Sequence, residues 1–285
     1  MFHGCKGCFL GMLLTGAMLA FLSAVPVMAG DVAGDLILPA ADETQLLTLI
    51  DGSTLVGKIT QVGDSEITFE TKMGEMTISI DKIVEIKMIS SEAMKDGKYW
   101  FPNPNRTRLF FGQTGRMLKK GEGYFSDTYL FFPGIAFGIT DNITFGGGMS
   151  IFPGLDFNRQ LFYFTPKIGV STSENMSLAV GALVVRVPVD DDLDSDDPLF
   201  VGVAYGAATL GTDDRSFSVA LGYGFVEDEM ADKPAVMLGC DYRLSRRTAF
   251  VSENWIFPGV DDPLVSYGIR FFGEKLSVDL GFVTV

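Results

Sequence analysis

The sequence predicts an all-β chain: an antiparallel β-barrel of about ten to twelve strands, preceded by a small five-stranded barrel. Three observations predict it. Beyond residue 105, apolar residues recur at every second position, as in "RSFSVALGYGF" (215–225), and a period of two marks a strand. Short turns and long loops alternate along the same stretch. Residues 44–90 fall into five short apolar-polar runs separated by Gly- and Asp-containing turns.

The elements follow in chain order. Residues 1–29 carry Lys6, a long apolar run and "VMA", whose small residues Val27 and Ala29 suit a signal peptidase; a cleaved export signal is expected. Neither Cys5 nor Cys8 stands in a lipoprotein context. Residues 30–43 form an acidic, Ala-rich spacer. In 44–90 the turns fall at "DGS", "GDS", "KMGE" and "DK". "GSTLVGK" (Gly52–Lys58) matches most of a phosphate-binding loop, but Ile59 stands where Ser or Thr is needed, and the stretch alternates as a strand. The runs "LIDGSTLVGKI", "EITFET", "MTISI" and "IVEIK" resemble the small Sm-like or SH3-like β-barrel. That resemblance implies a docking or spacer module with a periplasmic protein as partner. Residues 91–105 are a linker rich in turn residues, closing on Tyr99, Trp100 and Phe101.

From 106 to 285 strands are expected near 106–115, 123–139, 143–152, 161–171, 176–187, 199–211, 215–226, 234–244, 247–257, 264–272 and 275–285. Tight turns at "TDN", "SEN", "TDD", "SRR" and "GEK" alternate with longer loops such as "PGLDFNRQ" and "PVDDDLDSDDP". One end of the sheet is trimmed and the other elaborated, as in a transmembrane-type barrel. The faces fit: Phe217, Val219 and Leu221 oppose Ser218, Ala220 and Gly222, and Leu276, Val278 and Leu280 oppose Ser277, Asp279 and Gly281. A greasy face suits lipid, and a small or charged face suits a crowded lumen. On this reading the small side of 199–208 (Gly202, Ala204, Gly206, Ala208) also looks inward. Eleven strands leave the chain end on the wrong side: either a twelfth strand is missing, or 106–115 lies outside a ten-stranded barrel. The other architecture compatible with alternation is a soluble exported β-sandwich that binds a partner.

Composition narrows the function. The formal charge of −14 argues against nucleic-acid binding. The single histidine, His3, lies in the signal, so the processed chain has no Ser-His-Asp or Cys-His catalysis and lacks the commonest zinc ligand. Of three cysteines only Cys240 follows the signal, as a small apolar filler. The stretch "FPNPNRTRLFF…LKKGEGYF…GITDNITFGGG" (101–148) is similar to bacterial outer-membrane β-barrel proteins of uncharacterised type with an added N-terminal domain. That similarity implies an outer-membrane location with lipid as a partner, and not an activity; barrel enzymes generally depend on a histidine, so no enzymatic activity is expected, nor a cofactor.

The candidate site residues are the charges that alternation turns toward the lumen: Lys167, Asp241, Arg243, Glu253, Arg270 and Asp279. They line a polar pathway for a small solute or form a paired-charge plug that closes the interior; Arg243 and Arg270 stand alongside Asp241 and Asp279 as pairing candidates. Asp190, Asp192, Asp194 and Asp196 are a weak calcium candidate, lacking the Gly and distal Glu of a calcium loop. Arg116, Lys119 and Lys120 form a basic spot within reach of lipid phosphates or a solvated turn.

Overall fold

The computed structural model describes residues 19–24, 36, 38–40, 43–89, 93–95, 98–188 and 198–284. The chain divides into two compact units: Val27–Phe101, and Met1–Pro26 with Pro102–Val285. In chain order the first strands are β1 (Leu19–Ala24), β2 (Thr44–Leu49), β3 (Thr54–Val62), β4 (Glu66–Thr71), β5 (Gly74–Ser79), β6 (Ile83–Ile89), β7 (Met94–Lys95) and β8 (Lys98–Tyr99). Next come β9 (Gly123–Thr128), β10 (Phe132–Thr140), β11 (Ile143–Met149), β12 (Phe162–Phe164), β13 (Lys167–Ser173), β14 (Met176–Val187) and β15 (Leu199–Gly211). The last are β16 (Arg215–Val226), β17 (Glu229–Met230), β18 (Ala235–Ser245), β19 (Thr248–Ile256), β20 (Leu264–Phe272) and β21 (Leu276–Thr284).

The smaller unit is a five-stranded antiparallel sheet in the order β5-β4-β3-β2-β6. Its alternation is that of a water-soluble sheet. In β4, Ile67 and Phe69 are buried while Glu66 and Glu70 are exposed. These two join Leu47, Ile59, Ile78 and Ile83 in one core. The "DGS" turn holds because Gly52 adopts φ +80°, a left-handed conformation that side chains disfavour. Asp51 accepts bonds from the Ser53 amide (2.9 Å) and hydroxyl (2.6 Å). These bonds, the hydroxyl's foremost, hold its carboxyl below the ordinary carboxylate range. "GSTLVGK" runs from this turn into β3, not into a helix, so no phosphate-binding loop forms.

The larger unit is a 14-stranded antiparallel sheet closed into a ring. Its path runs β10-β9-β1-β21-β20-β19-β18-β16-β15-β14, then through β12 and β13 to β11, which pairs back to β10. β12 and β13 share one place and β17 is a side branch on β16, which leaves twelve places around the ring. Every ring strand is thus paired on both edges, unlike the strands of an open two-sheet sandwich.

Four sequence expectations change. The run 123–139 is two strands, β9 and β10, joined through Tyr129 and Leu130 at φ 56° and 64°. The run 161–171 breaks between Phe164 and Lys167, where Pro166 has no amide to offer the ladder. Residues 106–115, for which a place in the sheet or outside it was open, are not a strand of the ring; a single bridge, Arg108 to Gln113, folds them into a finger. Leu19–Ala24, expected within a removed signal, pairs with β21 on one side and β9 on the other, antiparallel to both.

Facing is set by burial. In β16, Ser218 and Ala220 are buried while Phe217, Leu221 and Tyr223 are exposed. β15 is the correction. Ala207 and Thr209 are buried and Phe200 and Leu210 exposed, so Gly202, Ala204, Gly206 and Ala208 look outward, not into the ring. Residue size is a poor guide to facing here, because the finger inside already fills the space beside Tyr205 and Ala207, which belong to or pack on its core cluster.

Candidate functional site

The finger, residues 102–122, occupies the ring interior on the side of the short turns. It enters where Asn105 donates to Ser277 Oγ (3.4 Å), climbs to a tip at Phe110–Gly112, and returns to β9 at Gly123. Inward glycines make room for it. A Cβ at Gly239 would collide with Leu109 Cδ1, and one at Gly281 would press on the Phe110 ring at 3.1 Å. Leu109 and Phe110 pack with Ala207, Ala220, Met237 and Val251 in a buried cluster. This is the physical use of a nearly empty inner face: it houses a second layer of chain.

Four of the charged residues hold the finger. Glu253, 1% exposed, receives three successive amides on one oxygen: Phe110 (2.8 Å), Phe111 (2.9 Å) and Gly112 (2.9 Å). Its other oxygen accepts the indole N–H of Trp255 at 2.6 Å. A buried carboxylate needs such donors to offset its lost hydration. Arg270, fully buried, bonds both oxygens of Asp279 (2.7 and 2.8 Å) and Asp241 Oδ2 (2.9 Å). Its remaining donors reach the carbonyls of Leu109 (2.8 Å) and Asn105 (3.4 Å), so the guanidinium fork ties ring to finger. Asn103 on the finger donates to the same Asp241 oxygen at 2.7 Å.

Lys167, at the start of β13, points its ammonium at the finger's backbone. It donates to the carbonyls of Arg116 (2.8 Å), Thr107 (3.2 Å) and Thr114 (3.4 Å) and to Gln113 Oε1 (3.2 Å). Gly115 closes on the wall, its amide on Thr209 Oγ1 at 2.8 Å; a Cβ there would strike the Ser177 carbonyl.

Alternation marked these side chains as one face; the structure sorts them. Arg270, Asp279 and Asp241 form one cluster, and Glu253 and Lys167 grip the tip and the base of the finger. Arg243 belongs to neither. It pairs with Asp214 (3.1 Å), donates to the carbonyls of Ser245 and Arg246, and lies over the Phe272 ring at the short-turn end. Its expected partners Asp241 and Asp279 are bonded to Arg270 instead. Arg116 is also committed, to Asp213 and the carbonyls of Gly211 and Thr212. Lys119 and Lys120 are exposed. Asp190, Asp192, Asp194 and Asp196 lie outside the described residues, among which no acidic, His or Cys cluster could hold a metal.

Sequence reading missed the finger's own polar residues: Asn103, Asn105, Thr107, Gln113 and Thr114. The available signal was their crowding in "PNPNRTR" and "GQTG", where polar residues break the period of two.

Above the tip, on the long-loop side, the inner face opens. Leu183 and Val226, on the same faces as buried Ala179 and Ala220, are exposed.

No family model matches the chain, and no curated protein matches its sequence. Among solved structures it has a weak likeness to outer-membrane porins. The loop-L8 deletion mutant of OmpT from Vibrio cholerae shares 12% identity over 94% of this chain and 98% of that one, at a TM-score of 0.29. OmpF of Salmonella typhi, in complex with daunomycin, shares 9% identity over 93% and 96%, at 0.30. Likeness of this degree carries no functional weight. No helix among the described residues is long and apolar enough to cross a membrane, which says nothing of strands.

Proposed function

We propose that the chain is an outer-membrane β-barrel protein whose interior is stopped by its own finger, serving the envelope as a structural or binding platform and not as a standing channel. The outer wall supports the membrane reading. Val180, Ile168, Ile135, Leu221 and Phe282 are all more than half exposed on the outward faces of their strands. Contiguous apolar exposure around a whole ring is untenable in water and ordinary in lipid. Aromatic side chains mark both rims: Phe162, Phe200 and Phe282 toward the long loops, Phe217, Tyr242 and Phe271 toward the short turns.

The observation that carries the stopped interior is the triple amide grip of Glu253 on the finger tip. A loop that merely rested in an open pore would have no need of a buried carboxylate beneath it. Passage of a small solute would require that grip to be broken first. In this reading residues 1–29 serve export, which vacates the place of β1. The eleven places left then close with β9 against β21 as parallel neighbours. The 44–90 unit is an Sm-like docking module that meets a periplasmic protein.

The test is conductance. Wild-type protein, shown to be in the outer-membrane fraction and heat-modifiable on gels, should give no steady current in a planar bilayer. Glu253→Ala leaves three tip amides without their acceptor, two of them buried at roughly 1–3 kcal/mol each, and should give flickering openings. A stable ohmic current from the wild type overturns the stopped interior. Absence from membranes overturns the location.

A further inference from the structure

Leu19–Ala24 lies between β21 and β9 and is antiparallel to both. Six of its positions face Leu276–Gly281, and four face Phe125–Thr128. β9 and β21 therefore stand two strand spacings apart, about 9.6 Å. Every other strand of the ring has a neighbour on each side, so no other described strand is free to fill this seat.

On the export reading above, the processed chain leaves the seat empty. Closing it brings β9 against β21 over only four shared positions, whereas β14 and β15 share twelve. The new contact is parallel, the weaker pairing per residue. When it parts, both edges present unpaired amides and carbonyls, on which a further strand can form.

We propose that the β9–β21 seam admits an extended segment of a partner polypeptide, which adds to both edges as a strand. This names what the platform proposed above would bind, and it rests on the export and membrane readings. The edges set the occupant's chemistry. Phe125 and Leu276, opposite one position of the seat, are exposed on the outward wall. Ser126 and Ser277, opposite the next position, are buried on the inward side, as is Asp279 two residues on. A segment with apolar residues at alternate positions and small or polar ones between meets lipid and lumen on the correct sides. It runs toward the short turns, as Leu19–Ala24 does. Backbone bonds to two edges supply affinity, and the alternation supplies selection.

The test uses the processed full-length protein, taken from outer membranes in mild detergent, in a Cys240→Ala background. The probe is a peptide of Ser218–Tyr223, SVALGY, which has the required alternation, carrying Tyr223→Cys and a polar tail. Seated in place of Leu19–Ala24, its cysteine lies opposite residue 276. Leu276→Cys should capture it as a disulfide at least tenfold better than the same peptide with Ala220→Pro, which lacks a ladder amide. Phe125→Cys with Leu276→Cys should link directly in the empty protein. The cysteine-free peptide should suppress that link severalfold, because an inserted strand holds the pair beyond the roughly 7 Å that a disulfide spans. If the empty pair does not link, the seam stands open and capture alone decides. Equal capture of the two peptides, no capture, or a direct link unchanged by peptide overturns the proposal. So does a Leu276→Cys homodimer formed without peptide, which would put a second copy on the edge. Intact mass and fractionation separate the underlying readings. A processed chain that retains Leu19–Ala24 fills its own seat and contradicts the export reading, and absence from membranes contradicts the location.

Discussion

The two units use one alternation with opposite polarity. In the five-stranded sheet the inward set is Leu47, Ile59, Ile67 and Phe69, and water meets Glu66 and Glu70. In the ring the inward set includes Lys167, Glu253, Arg270 and Asp279, and the outward set is Val180, Leu221 and Phe282. The small sheet is held by removing apolar surface from water. The ring is held by strand pairing and by an interior of paired charge, where each partner is needed because the other is already dehydrated. Period two therefore reports a strand and its two faces, but not which face meets solvent.

The largest test of this contrast is a matched pair of truncations. Arg270→Ala strands two carboxylates in the ring and should cost about 3–5 kcal/mol. Phe69→Ala empties the small core and should cost a similar 3–5 kcal/mol, roughly. The chemistry separates them: the Arg270 variant should also loosen the finger, and only it should raise protease cleavage within residues 102–122. Equal cleavage in both would mean that Arg270 does not tie the finger.

A smaller effect is expected on the exposed faces. Leu221→Arg puts a cation on the outward wall of the ring and should cost about 2–4 kcal/mol of membrane folding. Met73→Arg, at a fully exposed turn of the small unit, should stay within about 0.5 kcal/mol. Urea unfolding of the protein in vesicles measures both, and a neutral Leu221→Arg would remove the contrast in solvent. The smallest effect is local. Ser53→Ala deletes the hydroxyl bond to Asp51, so the carboxyl, now held low, should titrate at higher pH in NMR, with little change in unfolding. An unmoved titration would show that the backbone amide alone sets it.

The secondary structure class, the turn positions and the faces of β11, β16, β18, β20 and β21 were legible along the chain. These are local matters, since alternation, Gly and Asp in turns, and loop length act within a few residues. At β15 size was taken for facing; at 106–115 alternation left a strand and a segment outside the barrel both open, and Leu109 and Phe110 bury themselves inside the ring. What stands opposite the inward charges is set by the closed sheet alone. Glu253 meets amides some 140 positions earlier in the chain, and Arg270 joins Asp241, Asp279 and the finger at one point. Those contacts exist because closing the sheet brings distant strands around a common axis. No periodicity along one strand carries that information.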